Sequence, residues 1–191
     1  MFPVSPVSFW RYFDFITIGA LTIVITALMM MHHKKTGGLL GSISETVAFS
    51  KTSSIIFSIT MTILFPLYYA FVWFWVMPLI HAPRGFYYLL VFSALCEMVF
   101  VWVPATVGRS KRVHGAMTSI VVTAMYLLAL LILLHGVNIH IAARISLSLF
   151  LACPFLIGIV MIAKKFRTYT FLYEVIWSAA FLTSVSLVAH T

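Results

Sequence analysis

The chain has 191 residues, of which 63% are hydrophobic and only 8% charged, with a formal net charge of +8. Soluble domains are about half apolar and about a quarter charged, so this composition excludes a water-facing surface and points to lipid as the solvent. The twelve Lys and Arg residues sit between apolar runs, which argues against nucleic acid as a partner and makes membrane lipids the nearer one.

In chain order, the apolar runs predict six spans in a single transmembrane domain covering residues 1–191: Phe13 to Met31, Ser54 to Ile80, Gly85 to Val107, Ala116 to His135, Ile145 to Ala163 and Tyr169 to Val188. Lipid leaves no unpaired backbone group unpenalised, so the expected fold class is all-α, a polytopic transmembrane helical bundle with short loops. The first run ends in Met29-Met30-Met31-His32-His33-Lys34-Lys35 without a small-residue cleavage pattern, and is read as a span rather than a signal peptide. Pro66 and Pro154 fall inside the second and fifth spans and predict kinks there. Cys96 and Cys153 lie within apolar runs and are read as thiols, not a disulfide.

The first predicted loop is the longest, His32 to Ser53, and four short ones carry His81–Arg84, Gly108–His114, Gly136–His140 and Lys164–Arg167. Lys34, Lys35, Lys51, Arg109, Lys111, Arg112, Lys164, Lys165 and Arg167 belong to the odd loops, whereas only Arg11, Arg84 and Arg144 belong to the N-terminus and even loops. Short cytoplasmic loops carry the Lys and Arg excess, so this count places the odd loops inside and both termini outside. Trp10, Trp73, Trp75 and Trp102 fall near span ends, where indole rings settle at headgroup level.

Glu97 stands about twelve residues into the third span, near the bilayer midplane, where an ionised carboxylate costs several kcal/mol. Two readings stay open: a proton- or ligand-binding carboxylate facing the bundle interior, or a protonated Glu bonded to a Ser, Thr or Tyr of a neighbouring helix. Asp14 and Glu174, early in the first and sixth spans, fit capping or interfacial roles. The first and third loops share one side of the membrane, so Ser42-Ile43-Ser44-Glu45 and Arg109-Ser110-Lys111-Arg112-Val113-His114 can meet. Ser44, Glu45, Arg112 and His114 together would suit a lipid phosphate, with Glu45 and His114 placed for proton transfer. The alternative is that Ser44 caps an interfacial helix and the basic residues only anchor to headgroups.

No cofactor is predicted, and the His and Cys spacing does not form a metal site. A dihaem electron carrier is an alternative, with His114 and His135 bracketing span four and facing His32 or His33 and His81 or His140. Most of those histidines lie in or beside loops, which is poor support for axial ligands. The G-x-S-x-G, P-loop and H-E-x-x-H signatures are missing.

The motif Ile43-Ser44-Glu45, the span opening Ser54-Ile55-Ile56-Phe57-Ser58, Val103-Pro104 after span three and Val113-His114-Gly115 at span four resemble prokaryotic six-span membrane proteins related to the DRAM and Frag-type families. The resemblance covers residues 40 to 120, with Thr46 where those proteins carry a small residue or glycine. It implies Ser44, Glu45, Pro104 and His114 as the polar motif, a role in membrane-lipid organisation, remodelling or stress response, and motif loops outside the cytoplasm. Orientation therefore has two opposed expectations.

These readings converge on a multi-pass protein of the cell membrane that binds or handles a lipid or other amphiphile, with Ser44, Glu45, Arg112 and His114 at the headgroup and Glu97 in the interior. Its expected partners are membrane lipids, and a second copy or a larger membrane complex. The alternatives are a small proton-coupled transporter or channel using Glu97, a membrane enzyme acting on lipid through Glu45 and His114, the dihaem carrier, and a structural subunit.

Overall fold

The computed structural model describes residues 10, 12–36, 50–103, 108–136, 139–162 and 170–190. Among them six helices follow one another with no strand: α1 (Phe13–Thr36), α2 (Lys51–Leu79), α3 (Arg84–Trp102), α4 (Gly108–His135), α5 (Ile141–Ile162) and α6 (Thr170–Ala189). The fold is the expected all-α bundle. Four segments, Phe13–Lys34, Lys51–Leu79, Arg84–Trp102 and Ser110–His135, are long and apolar enough to cross a membrane. At a rise of 1.5 Å per residue they measure roughly 28–44 Å. Helices α5 and α6, with 22 and 20 residues, are mostly apolar and carry one charged residue each, Arg144 and Glu174.

Each helix is apolar on its outer face as well as its inner one. Ile23, Ile63, Leu95, Leu134, Leu149 and Ile176, one from each helix, expose more than half of their surface. Such a coat drives aggregation in water and is solvated in hydrocarbon. Consecutive helices pack side by side, and α1 closes the ring against α6. Helix α6 also touches α2 and α4, which draws it toward the middle. Neighbours joined by short connections run antiparallel. One end of the bundle, the even-loop end, therefore holds the start of α1, the α2–α3 and α4–α5 turns and the end of α6. The odd-loop end holds the other three connections.

Helix boundaries follow local chemistry. Ser50 caps α2, its hydroxyl accepting from the Ser53 amide at 3.1 Å. Helix α3 stops at Trp102 instead of Val107, because Val103 is extended (φ −100°, ψ 103°) and precedes Pro104, whose ring disfavours a helical residue before it. Helix α1 runs on to Thr36 and takes in His32, His33 and Lys34, while α4 begins at Gly108, so the expected loop Gly108–His114 forms its first two turns. Charges end a hydropathy run but not a helix, since long basic side chains reach outward from its terminal turns. Helix α2 is one path from Lys51 to Leu79: Pro66 lies within it, and a π-helical turn at Val72–Val76 follows, closed by the Met77 amide on the Val72 carbonyl.

The even-loop end is solidly filled. Phe71, Val76, Met77 and Ile80 of α2 meet Ile132 of α4, Leu147 and Phe150 of α5 and Phe181, Val185 and Val188 of α6, all almost without exposure. Two turns complete this end. After α2 the Ala82 amide donates to the Met77 carbonyl at 3.0 Å and the His81 amide to the Pro78 carbonyl at 3.1 Å, with His81 in the left-handed region at φ 49°. This is the helix-ending geometry that normally takes glycine. At the end of α4, Gly136 is buried and a Cβ there would lie 2.6 Å from the Ile132 carbonyl oxygen and 3.0 Å from the Ile139 side chain.

His81→Gly is expected to stabilise the folded protein by about 0.5–1 kcal/mol by removing the left-handed penalty of an exposed side chain. Gly136→Ala is expected to destabilise it by about 1–3 kcal/mol through overpacking. Thermal denaturation in detergent, followed by helical circular dichroism, checks both, with midpoint shifts of opposite sign.

Candidate functional site

Away from the filled end the bundle is hollow. A cavity of about 410 Å³ lies between α1, α2, α3, α4 and α6, within the range of small-molecule sites. Its described lining follows helical spacing: Thr17, Leu21 and Ile25 on α1; Phe57, Met61, Leu64, Tyr68 and Val72 on α2; Leu90, Ser93, Glu97 and Phe100 on α3. Steps of three and four residues put each set on one helix face. Phe57, Phe100, Thr118 and Glu174 lie near the odd-loop ends of their helices, while Thr17, Leu90 and Leu128 lie toward the even-loop end, so the cavity extends from the odd-loop side past the middle of the bundle.

Its wall is mostly apolar, with Tyr69, Ser93 and Glu97 grouped on α2 and α3 and Thr17, Thr118, Glu174 and Ser178 on the other helices. The Tyr69 hydroxyl is 2.8 Å from Ser93 Oγ and also within hydrogen-bonding reach of the Glu97 carboxylate, one turn further along α3. Glu97 is 8% exposed. Tyr68, on the preceding position of α2, is 8% exposed, and its hydroxyl has no hydrogen-bond partner. Across the cavity, Trp177 Nε1 donates to the Tyr126 hydroxyl at 2.7 Å, and both rings pack on Phe150, at centroid distances of 5.5 and 4.8 Å. Glu174 lies half-buried one turn before Trp177 on the same face of α6.

A second polar group locks the even-loop end. Asp14, in the first turn of α1, is completely buried. Its Oδ2 accepts from the Ser186 hydroxyl and lies 3.0 Å from Nε2 of His190, both contributed by the end of the chain; Oδ1 has no partner. The carboxylate stands between serine and histidine, so the serine hydroxyl points to the acid and not to an imidazole base, unlike a nucleophilic triad. The expectation of a capping or interfacial Asp14 is met only in its position at a helix start: it is a buried tie between α1 and α6. No spacing in the sequence links residues 14, 186 and 190; only the closure of the ring brings them together.

The five residues singled out from sequence separate. Ser44 and Glu45 lie outside the described residues. Glu97 faces the cavity, five residues before the end of α3. Arg112 is exposed on the second turn of α4. His114 is half-buried, with Nδ1 2.7 Å from the Val103 carbonyl and its ring edge-on to Phe100 at 5.4 Å. A carbonyl only accepts, so Nδ1 carries the proton and His114 ties the start of α4 to the end of α3. The remaining histidines are dispersed: His32 is buried near the odd-loop end of α1, while His33, His81, His135 and His140 are exposed. The residues that sequence reasoning missed, Tyr68, Tyr69, Ser93, Tyr126 and Trp177, carried no signal beyond a helical period shared with ordinary core positions.

Fold and site together define a class: an all-α helical protein with membrane-spanning helices and an apolar interior cavity that carries a buried carboxylate. No family model, curated protein or solved structure matches the chain.

Asp14→Ala strands the Ser186 hydroxyl and the His190 imidazole and is expected to cost about 1–3 kcal/mol, with Ser186→Ala costing about half as much. Equilibrium unfolding in mixed micelles measures both, and equal stability of all three proteins would remove the tie from the account.

Proposed function

We propose that the chain is a multi-pass integral membrane protein, with all six helices spanning the cell membrane, that holds an amphiphile in its interior cavity. The observation that carries this reading is the cavity itself: about 410 Å³, apolar and aromatic over most of its wall, with the Tyr69–Ser93–Glu97 group concentrated on one side. A ligand with an apolar body and a polar head matches that division. The exposed Lys111 and Arg112 at the odd-loop end supply positive charge for anionic headgroups beside it. Ser44 and Glu45 belong to this headgroup region from the sequence alone. Because Nδ1 of His114 is engaged with Val103, its part there is to position the start of α4.

A second reading, in which Glu97 binds a proton during transport, is favoured by the burial of that carboxylate and its tyrosine partner. It predicts pH-dependent flux in proteoliposomes that Glu97→Gln abolishes.

The amphiphile reading is tested by native mass spectrometry of gently solubilised protein. A stoichiometric retained amphiphile is expected, and the cavity-filling changes Val122→Phe and Ser178→Phe are expected to expel it while leaving helicity and monodispersity intact. No retained molecule, or retention that ignores both changes, overturns the reading.

A further inference from the structure

We infer that the ligand of the cavity is a lipophilic organic cation, an alkyl- or aryl-substituted ammonium group being the chemical class that the wall recognises. The inference rests on the amphiphile reading and deepens it. Among the described lining residues are the carboxylates Glu97 and Glu174, and there is no Lys, Arg or His. An ionised carboxylate in such surroundings is costly until a proton or a cation compensates it. The Tyr69 hydroxyl stands near Glu97, and a carboxylate has about four acceptor sites.

Tyr68 is the independent observation. It lines the same cavity beside Tyr69, is more than nine-tenths buried, and its hydroxyl has no partner. An unpaired buried hydroxyl costs about 1–3 kcal/mol, a deficit that a donor on the ligand relieves. The rings of Tyr68, Tyr69, Phe100, Tyr126 and Trp177 also line the space, and the negative faces of aromatic rings attract organic cations. A hard metal ion is the wrong size and chemistry, since it requires about six oxygen ligands and this wall is mostly carbon. An anionic head would meet the buried Glu97 carboxylate. The wall thus selects positive charge at the head and hydrocarbon in the body.

The test uses the full chain in detergent and three probes with one decyl tail: decylammonium, 1-decanol and decyl sulfate. Binding is read as quenching of tryptophan fluorescence, and the part lost in Trp177→Phe belongs to the cavity. The cation is expected to bind at least about tenfold more tightly than the alcohol, with the sulfate weakest. Glu97→Gln is expected to remove that preference while decanol binding stays within about twofold, and Tyr68→Phe to weaken the cation and the alcohol alike, since both donate to its hydroxyl. Cation and alcohol binding equally, or a cation preference that survives Glu97→Gln, overturns the cation assignment and leaves the amphiphile cavity standing. If no probe gives a signal that depends on Trp177, the cavity reading and the cation assignment fall together. Should Glu97→Gln not fold, the charge series on the unaltered chain still decides between these outcomes.

Discussion

Hydrogen-bonding groups inside this bundle have no water to fall back on, and that constraint governs how its helices are joined. Two pairs of neighbours are tied by side-chain bonds that cross between helices: Ser58 to the Val101 carbonyl at 2.8 Å and Trp102 to Thr62 at 3.0 Å between α2 and α3, and Ser146 to Ser184 at 2.7 Å between α5 and α6. Trp75 reaches the Ala189 carbonyl at 2.9 Å and joins α2 to α6. Single bonds of this type contribute only about 0.6 kcal/mol in a membrane bundle. Their greater effect is on register, because an apolar face can slide along another apolar face and a paired hydroxyl cannot. Asp14 is the extreme case, a wholly buried carboxylate whose partners come from the far end of the chain.

The two ends of the bundle divide the labour. At the even-loop end, bulky Phe, Ile and Val side chains interlock, and Gly136 lets α4 turn tightly enough for Ile139 to seal it. The π-helical turn at Val72–Val76 contributes here, since the extra residue in the turn shifts the faces that follow. Within it, Trp75 points to α6, while Trp73 meets Tyr87 edge-on at 4.6 Å. Toward the odd-loop end the inward residues no longer fill the space, and the cavity opens among them. Packing that is tight at one end holds the helices apart at the other without collapse.

The cavity groups polar side chains on neighbouring turns of two helices. Tyr69 and Tyr68 of α2 face Ser93 and Glu97 of α3, where the α2–α3 contact is also secured by the Ser58 bond. The opposite wall carries Tyr126 and Trp177, hydrogen-bonded to each other and backed by Phe150. A site built this way has a rigid apolar wall and a polar wall whose charge state is set by what enters. His114, expected from the sequence at the headgroup, ties the start of α4 to the end of α3 through Val103.

Composition and hydropathy determined the fold class, the order of the helices and the presence of a carboxylate in the third, because the solvent acts on every residue of a run and leaves a signal averaged over about 20 positions. Pro104 and Ser50 were local signals that marked helix ends through their own backbone chemistry. Hydropathy placed the ends of α1 and α4 too early and too late, since charge marks where lipid stops and helical hydrogen bonding continues past it. Only the tertiary structure decided which inward faces interlock and which leave space, that Tyr68 and Tyr69 meet Glu97, and that residue 14 pairs with residues 186 and 190. Those facts depend on the closure of α1 against α6 and on the register between helices, which individual hydrogen bonds set and which no period along a single helix encodes.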